Sequence, residues 1–455
     1  MITSFKELKN QILEFNPENS GIYTGKNLEE AELLSFRDLI NQQINIESSV
    51  DDSVYVPVLI SGKIDFIKAV FCLWNAGKVP VAIDPKTTYN ELEVIKNMIP
   101  FQFSLTDSNI NNTQFSSPEE TDNYSEERAI VILTSGSTGK PKAVLHTFRT
   151  LSEAFNSGKK FFNYSNQDRW LLTLPLFHIS GFSIFFRVLL SGSKLIIPDS
   201  NLERTGELVE KFSITHLSLV NTQLQEFAKT ESNFSSLKAV LCGGTPFNSK
   251  LIQSCIDKNI PVYKVYGSSE TAAFVTALDC KNFRSKNDSA GLPLNGVDII
   301  IDNQNDEVLI KSKSLFVSYL GNENITGKNQ EGYFRTGDCG FIDSAGFLFL
   351  TGRVKDLIIT GGKKVSSIEV ENALCELAFI TDCHVFGIEN EKWGEAVAAA
   401  IVGSEHFDED DLDAYLRNKL SAYKIPKKFF FVEFIPKSST GKTDIVALKN
   451  LIGIE

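Results

Sequence analysis

One stretch of the chain is the most informative about its fold, and it reads Thr134-Ser135-Gly136-Ser137-Thr138-Gly139-Lys140-Pro141-Lys142. It follows the apolar run Ala129-Ile130-Val131-Ile132-Leu133, which predicts a buried β-strand that delivers a loop to the edge of a sheet. Glycines and hydroxyl side chains let such a loop turn its backbone N–H groups toward an anion, and the lysines add positive charge. Lys140 precedes a proline instead of the Ser or Thr of a Walker A loop. The stretch therefore predicts a phosphate-binding loop outside the Walker A class.

The bulk composition is that of a large globular protein. A chain of 455 residues favours about two or three domains, and 42% hydrophobic and 22% charged residues are ordinary values. The net charge of −12 argues against nucleic acid as the main partner, because phosphate backbones select basic surfaces. No apolar run reaches the length of a membrane span, and the first residues lack the apolar core of a signal peptide. We therefore expect a cytoplasmic protein without stable membrane insertion.

The cysteines support the same compartment. They are scattered, odd in number and without CxxC spacing, which argues against a disulfide framework and against a zinc site. The seven positions are Cys72, Cys242, Cys255, Cys280, Cys339, Cys375 and Cys383. A reducing cytosol fits this pattern best.

The order of apolar segments predicts an α/β fold, because short strands alternate with amphipathic helices. The predicted strands lie at 54–58, 79–83, 195–198, 217–220 and 239–241, with a helix at 66–73 between the first two. The polar segment 109–128 predicts a surface excursion ahead of the loop. A domain boundary is expected near Gly352-Arg353, because the following residues have their own αβ pattern, with a helix at 367–374 and a strand at 383–387.

Further motifs resemble those of the adenylate-forming superfamily, which comprises acyl-CoA synthetases, luciferases and adenylation domains, and they occur in the same order. They are Cys242-Gly243-Gly244-Thr245-Pro246, Tyr266-Gly267-Ser268-Ser269-Glu270-Thr271, Arg335-Thr336-Gly337-Asp338, Gly352-Arg353-Val354-Lys355-Asp356, the segment Gly361 to Glu371, and the segment Phe434 to Lys442. The resemblance implies a large N-terminal adenylate-forming domain that binds ATP and the acyl group, residues 1–352. It also implies a small mobile α+β C-terminal lid domain, residues 353–455.

The resemblance also implies a nucleotide site. The phosphate loop would contribute Thr134, Ser135, Gly136, Ser137, Thr138, Gly139 and Lys142, with Thr138 catalytic. Glu270 would bind Mg²⁺, since a hard cation prefers carboxylate oxygen, and Asp338 would accept hydrogen bonds from both ribose hydroxyls. The remaining implied contacts are Gly243 and Gly244 against adenine, Tyr266 on its face with Gly267 beside it, Thr271 at the phosphate, and Arg353 facing the nucleotide.

Three residues of the C-terminal region complete the implied cycle, in which a carboxylate attacks ATP and a thiol then displaces AMP. Lys442 would bridge the substrate carboxylate and the phosphate during adenylation, Lys355 would be the hinge, and Gly361 with Gly362 would line the path of coenzyme A. Two departures stand out: Ser367 replaces the usual proline at the start of a helix, and Ile445 replaces a usual arginine. Serine also suits a helix start, so we expect that helix to form.

The segment Leu174 to Gly181, followed by Arg187, resembles the o-succinylbenzoate–CoA ligases of menaquinone synthesis, as does the segment Thr215 to Leu224. This resemblance implies a reaction that converts 2-succinylbenzoate to its CoA thioester. His178 would be catalytic and would lie beside the acyl pocket with Ser180, and Arg187 would bind the second carboxylate. Both His178 and Arg187 also suit purely structural roles. The alternatives are another aryl- or acyl-CoA ligase, a free-standing amino-acid adenylating enzyme, and a non-catalytic nucleotide-binding protein.

Overall fold

The computed structural model describes residues 1–41, 45–46, 54–101, 103–110, 113–114, 127–134, 141–198, 205–243, 249–279, 282–286, 288–321, 327–354, 357–377, 379–403, 408–437 and 443–454. The helices are α1 (Phe5–Glu14), α2 (Phe36–Asn41), α3 (Lys63–Asn75), α4 (Tyr89–Met98), α5 (Phe148–Lys159), α6 (Ile179–Ser191), α7 (Thr205–Lys211), α8 (Asn221–Lys229), α9 (Ser249–Asp257), α10 (Phe283–Lys286), α11 (Ser367–Cys375), α12 (Glu409–Arg417) and α13 (Ile445–Ile452). The strands are β1 (Gly21–Thr24), β2 (Glu32–Ser35), β3 (Asn45–Ile46), β4 (Tyr55–Leu59), β5 (Val79–Ala82), β6 (Leu105–Thr106), β7 (Thr113–Gln114), β8 (Arg128–Thr134), β9 (Lys142–Thr147), β10 (Arg169–Leu171), β11 (Lys194–Ile196), β12 (His216–Val220), β13 (Ala239–Gly243), β14 (Val262–Tyr266), β15 (Thr276–Asp279), β16 (Ser289–Pro293), β17 (Val297–Ile301), β18 (Glu307–Ser312), β19 (Tyr319–Leu320), β20 (Phe334–Ile342), β21 (Leu348–Arg353), β22 (Ile358–Thr360), β23 (Lys363–Val365), β24 (Ile380–Asn390), β25 (Gly394–Gly403) and β26 (Lys428–Phe431).

A mixed sheet of 13 strands has the order β17-β18-β20-β21-β16-β15-β14-β13-β12-β10-β11-β1-β2. Strands β12, β13 and β14 run parallel, so their carboxyl ends meet at one edge, where Gly243 pairs with Val220 on one side and with Val265 on the other. From β14 to β17 every pairing is antiparallel. The edge formed by the parallel strands is where ligands bind in open α/β sheets.

A second sheet has the order β19-β9-β8-β5-β4-β6. Strands β8 and β9 form an antiparallel hairpin that ends at the pair Thr134 and Lys142, so these two residues close the predicted phosphate loop. The short strand β19 adds to the outer side of β9, with Tyr319 opposite Val144. The hairpin therefore places Tyr319 next to the strand that leaves the loop.

An aromatic core holds α3 and α6 together. Phe71 packs edge-on against Phe185 with ring centroids 5.7 Å apart, and Trp74 stacks on Phe185. The Trp74 indole nitrogen donates a hydrogen bond of 2.7 Å to the backbone oxygen of Ala129 in β8, which ties this core to the hairpin. Burying each such ring contributes about 1.5–3 kcal/mol, so the helices fix the hairpin firmly.

The C-terminal residues form a separate sheet of order β23-β22-β25-β24, in which β26 also pairs with β25. This sheet has its own apolar core, in which Val370 and Leu374 of α11 pack with Val397 and Leu412. The Ser366 hydroxyl caps α11 by accepting a hydrogen bond from the Glu369 backbone nitrogen at 3.1 Å. The helix thus begins at Ser367 without a proline, as the sequence predicts.

The α/β prediction is confirmed, with a large N-terminal part and a C-terminal domain. The predicted strands correspond to β4, β5, β11, β12 and β13, and the predicted C-terminal helix and strand correspond to α11 and β24. The proposed boundary after Gly352 falls one residue before the end of β21, which runs through Arg353. Most of the segment 109–128 lies outside the described residues. Within the described part of the chain, no helix combines the length and apolarity that a membrane span requires.

Candidate active site

The structure describes the two ends of the predicted phosphate loop but not the central residues of the loop. Residues 135–140, which include Ser135, Gly136, Ser137, Thr138 and Gly139, lie outside the described residues. Thr134 and Lys142 at the two ends are both half-buried and directly paired.

Lys142 and Glu270 are linked through a tyrosine that the sequence motifs do not include. The Lys142 Nζ lies 4.9 Å from the centre of the Tyr319 ring, a cation–π contact. The Tyr319 hydroxyl donates a hydrogen bond of 2.8 Å to Glu270 Oε1. Burial and the neighbouring Glu270 carboxylate raise the pKa of Tyr319, so its proton stays available for this bond. One buried ring therefore brings together the cation at the phosphate loop and the predicted metal ligand.

The backbone that carries Glu270 follows a tight course after β14. A 3₁₀ turn spans Ser269–Thr271, and the next two residues have positive φ angles, 56° at Ala272 and 104° at Ala273. A Cβ atom on Gly267 would lie 1.9 Å from the Ala273 backbone oxygen, so glycine is required there. Non-glycine residues rarely adopt such angles, and strained backbone of this kind is concentrated at functional sites.

The Thr271 side chain is directed into this turn. It is 1% exposed, and its hydroxyl accepts a hydrogen bond from the Ser268 backbone nitrogen at 2.8 Å and donates to the Ser268 backbone oxygen at 3.0 Å. In this conformation the hydroxyl shapes the turn. A contact of this side chain with phosphate, as the motif implies, requires the turn to open.

His146 of β9 supports the same turn from below. Its Nε2 lies 2.7 Å from the Ser269 backbone oxygen, and its Nδ1 lies 3.1 Å from the Thr150 hydroxyl. Burial lowers the pKa of His146 to about 4, so the ring is neutral and Nε2–H donates to Ser269. His146 lies four residues after Lys142 in β9, and side chains an even number of residues apart lie on the same face of a strand. This alternation is a sequence signal that could have identified His146 as a neighbour of the site.

A second network joins Tyr266, Asp338 and Arg353. The Tyr266 hydroxyl donates a hydrogen bond of 2.7 Å to Asp338 Oδ2, and the Arg353 Nε lies 3.0 Å from Oδ1. Asp338 and Arg353 are directly opposite in the hairpin of β20 and β21. Burial, followed by the Asp338 charge, raises the pKa of Tyr266 and keeps it protonated. Each carboxylate oxygen retains a lone pair, so Asp338 can still accept two hydroxyl donors.

Gly243 ends β13 beside this network. Among the described residues, a Cβ atom there would meet only Val265, at an ordinary contact distance of 3.4 Å. Its predicted partner Gly244 lies outside the described residues.

The start of α6 carries the predicted acyl-site residues His178 and Ser180, both half-buried. The His178 Nε2 is buried without a hydrogen-bond partner among the described residues, and burial lowers the pKa of this side chain, opposed by Asp84. A Cβ atom on Gly181 would lie 2.1 Å from the Pro175 backbone oxygen, so glycine brings this helix start close to the preceding loop. An unpartnered imidazole nitrogen at a helix start is suited to a ligand contact.

Arg187 lies deeper in α6 and is 6% exposed. Its guanidinium carbon is 4.5 Å from the centre of the Phe274 ring and 5.7 Å from that of Trp170. Within the described residues its Nη1 has no hydrogen-bond partner, and burial lowers its pKa. Phe274 follows the Glu270 turn directly, so a buried cation held by aromatic faces lies behind that turn.

In the C-terminal sheet, Gly361 and Gly362 both have positive φ, 56° and 75°. A Cβ atom on Gly361 would lie 2.8 Å from the Trp393 ring, which is 45% exposed, whereas one on Gly362 would meet none of the described residues within 4 Å. The Lys392 Nζ lies 4.7 Å from the centre of the same indole. The predicted hinge Lys355 and the predicted catalytic Lys442 lie outside the described residues.

The donor set around Glu270 suits Mg²⁺ and not a metal held by protein alone. No group of three or more His, Cys, Asp or Glu side chains that could hold a metal occurs in the described ranges. Mg²⁺ is commonly bound through one carboxylate together with phosphate oxygens and water, and the single carboxylate of Glu270 near Lys142 matches that pattern.

Comparison with known proteins assigns the family. The model of the AMP-binding enzyme family matches residues 96–320, and that of the AMP-binding enzyme C-terminal domain matches residues 369–442. A 2-succinylbenzoate–CoA ligase of Listeria monocytogenes serovar 1/2a is 32% identical over 352 residues, which cover 75% of this chain and 74% of that relative.

Two solved structures of o-succinylbenzoate coenzyme A synthetase from Bacillus subtilis superpose on this fold, each with a TM-score of 0.83. One is in complex with the acyl-adenylate intermediate; it is 26% identical and covers 97% of both chains. The other is in complex with ATP and magnesium ion; it is 25% identical, over 98% of this chain and 99% of that one. The chain therefore belongs to the AMP-binding enzymes, the adenylate-forming superfamily whose motifs its sequence resembles.

Proposed function

We propose that this protein is an AMP-forming 2-succinylbenzoate–CoA ligase of menaquinone biosynthesis. The observation that carries the proposal is the match along 97% of both chains to a synthetase bound to its succinylbenzoyl adenylate. The relative of 32% identity has the same activity in its name. The reaction takes place in the cytoplasm, with 2-succinylbenzoate, ATP and CoA as substrates.

In the first half-reaction a carboxylate oxygen of the acid bonds to the α-phosphorus of ATP, and the bond to pyrophosphate breaks. The phosphate loop from Thr134 to Lys142 binds the phosphates, with Thr138 in contact with the reacting group. Mg²⁺ neutralises phosphate charge when it is bound. The chain's own contribution is to hold the Glu270 carboxylate in place through Tyr319 and, by way of Ser269, through His146.

The nucleoside binds at the carboxyl edge of the parallel strands. Adenine binds against the end of β13 at Gly243, with Tyr266 packed on its face and Gly244 as a further predicted contact. Asp338 accepts the two ribose hydroxyls, because Tyr266 and Arg353 already fix the orientation of its carboxylate. Such preorganised donors and acceptors avoid reorganisation during the reaction.

The acid lies against the start of α6. His178 contacts the acyl group through Nε2, which has no hydrogen-bond partner among the described residues, and Ser180 lies beside it. 2-Succinylbenzoate keeps a second carboxylate during the reaction, and a buried carboxylate needs a cationic partner. Arg187 is the candidate, because its buried Nη1 has no hydrogen-bond partner among the described residues.

In the second half-reaction the CoA sulfur bonds to the acyl carbon and AMP leaves with the bonding electron pair. Lys442 serves the first step, and the Gly361-Gly362 loop serves CoA entry in the second. One rigid placement of the C-terminal domain, residues 353–455, could hardly present both, so it rotates about Lys355. The exposed Trp393 ring with Lys392 beside that loop suits the adenine and phosphates of CoA.

A panel of acids tests the proposal directly. Purified protein is incubated with ATP, Mg²⁺, CoA and 2-succinylbenzoate, benzoate, a fatty acid or an amino acid, and thioester and AMP are quantified. Thioester with 2-succinylbenzoate, well above the others, is expected. Preference for another acid would indicate a different acyl-CoA ligase. Formation of an aminoacyl adenylate without any thioester would indicate an amino-acid adenylating enzyme. The absence of pyrophosphate exchange would indicate a non-catalytic protein.

A further inference from the structure

Two thiols of the C-terminal domain lie against each other, and neither belongs to the site residues assigned above. The Sγ atoms of Cys375 and Cys383 are 3.5 Å apart, and both residues are free cysteines. Cys375 is the last residue of α11, and Cys383 lies in β24. The pair therefore bridges a helix end and the sheet on which that helix packs.

The two sulfur atoms would have to move only a short distance to form a disulfide bond. A disulfide needs the sulfurs about 2.0 Å apart, so they must approach each other by about 1.5 Å. Cys375 ends its helix, and the pairing of β24 with β25 shifts register between Ile380 and Asp382, just before Cys383. Helix ends and irregular strand positions are where the backbone can absorb such a movement.

The two thiols differ in reactivity. Cys375 is half-buried and can be reached from solvent, whereas Cys383 is only 8% exposed. The hydrogen bond between the two thiols lowers the pKa of Cys375, while that bond and burial raise the pKa of Cys383. The Cys383 thiol can donate instead to the Glu371 backbone oxygen, 3.6 Å away. Cys375 is thus the attacking thiol and Cys383 the resolving one.

We propose that Cys375 and Cys383 form a reversible intramolecular disulfide when the protein meets a low-molecular-weight disulfide. The Cys375 thiolate attacks one sulfur of that oxidant, forms a mixed disulfide and releases one thiolate. The Cys383 thiolate then attacks the Cys375 sulfur and releases the second thiolate. The two cysteines are oxidised, the small disulfide is reduced to two thiols, and the two cysteine protons pass to the released thiolates or to water.

The bond would fasten the C-terminal end of α11 to β24. The N-terminal end of the same helix follows the Gly361-Gly362 loop after Ser366. The modification is independent of the ligase assignment, since it depends only on the two thiols. A disulfide that forms only on exposure to oxidant is compatible with a cysteine pattern that predicts no permanent disulfide framework.

The experiment incubates the full-length protein with oxidised glutathione, blocks the remaining thiols, digests without reduction and maps peptides by mass spectrometry. The wild type is expected to give a peptide pair joined through Cys375 and Cys383, about 2 Da lighter than the two thiol peptides and separated by dithiothreitol. Cys383→Ser should retain a glutathione adduct on Cys375. Cys375→Ser should form neither product, and Cys255→Ser, a change at a buried cysteine elsewhere, should behave as wild type.

Three results would overturn the proposal. One is a wild type without the joined peptides, the second is a lasting glutathione adduct on wild-type Cys375, and the third is oxidation of Cys383 in Cys375→Ser at the wild-type rate. Since the first two concern the unmodified sequence, a folding defect in either variant does not affect them.

Discussion

At the scale of single residues, two tyrosine hydroxyls orient the two carboxylates that the proposed function needs most. Tyr319 donates to Glu270, and Tyr266 donates to Asp338. Each carboxylate keeps lone pairs for a ligand while these contacts restrict its rotation. Both hydroxyls therefore prepare the site before ATP binds.

Tyr319→Phe should lower the rate of acyl-adenylate formation by about 10-fold or more, because a hydrogen bond to a charged group contributes about 1.5–3 kcal/mol. The ring remains, so the contact with Lys142 should persist. Pyrophosphate exchange at several Mg²⁺ concentrations measures the effect, which should include a higher requirement for Mg²⁺. Tyr333→Phe is the matched control, since Tyr333 donates to Asp298 at an exposed position. Equal losses in both variants would contradict the role of Tyr319.

Arg187→Leu should weaken the use of 2-succinylbenzoate by about 10- to 150-fold in kcat/KM, the range that corresponds to about 1.5–3 kcal/mol for a charge-assisted hydrogen bond. Benzoate lacks the second carboxylate, so the lower kcat/KM that we expect for benzoate should change little in the variant. The unfolding midpoint of the variant is measured alongside. A purely structural arginine, held only by Phe274 and Trp170, would instead show equal losses with both acids and a lower midpoint.

At the scale of elements, the hairpin of β8 and β9 sets the site, because one strand carries several of its parts. Lys142 begins β9, His146 lies near its end, and Tyr319 pairs beside it. Period-two alternation places Lys142 and His146 on the same face, toward the Glu270 turn. A shift in the register of this hairpin would displace all of these contacts together.

In the C-terminal sheet, Gly361→Ala should raise the KM for CoA by several-fold while pyrophosphate exchange stays near the wild-type rate. The added Cβ would lie 2.8 Å from the Trp393 ring and push it away. Gly362→Ala is the control, because Gly362 has a similar positive φ and an added Cβ there would meet none of the described residues within 4 Å. Backbone strain of about 1–2 kcal/mol is common to both variants. An equal increase in the KM for CoA in both variants would contradict the assignment of Gly361 to the path of CoA.

The motifs predicted the elements that carry the site better than the contacts within it. Short-range patterns indicate strands and loops, so the strand before the phosphate loop and the helix at Ser367 followed from sequence. Tyr319 was missed because it lies 49 residues from Glu270, and only tertiary pairing brings them together. The sequence also does not predict that the Thr271 side chain is directed into the turn, because that direction depends on the φ angles of Ala272 and Ala273. The roles of Lys355 and Lys442 stay predictions.

At the scale of the whole molecule, two buried histidines make stability depend on pH. Burial lowers the pKa of His146 and of His216 to about 4. The unfolded chain binds a proton at each below its ordinary pKa of about 6.5, whereas the folded chain does not, so the free energy of unfolding falls as pH decreases from about 6.5 to 4. The loss is on the order of 3 kcal/mol for each histidine. Denaturant unfolding at pH 7 and pH 5 should show about 2 kcal/mol of this loss for each histidine, and His216→Gln should reduce the difference between the two pH values. An unchanged difference in that variant would contradict the assignment to His216.

The proposed rotation of the C-terminal domain separates the two half-reactions. Lys442→Ala should lower acyl-adenylate formation by about 10²–10³-fold, the usual effect of removing a preorganised charge stabiliser. Conversion of supplied succinylbenzoyl adenylate to the thioester should continue near the wild-type rate. Stopped-flow or quenched assays of each step provide the measurement, with Lys437→Ala as a control, because Lys437 pairs with Asp382. Comparable losses in the two steps would rule out this division.

The hairpin of β20 and β21 has a consequence for redesigning the enzyme. Arg353 is at once the last residue of the large sheet and the partner of Asp338, and the proposed pivot Lys355 comes two positions later. A substitution of Asp338 that changes the nucleotide preference would also remove the ion pair of Arg353 at the end of β21, two residues before the proposed pivot. The proposed nucleotide contact and the proposed rotation therefore depend on the same ion pair, and selection for a new cosubstrate should recover compensating changes near residues 353–357.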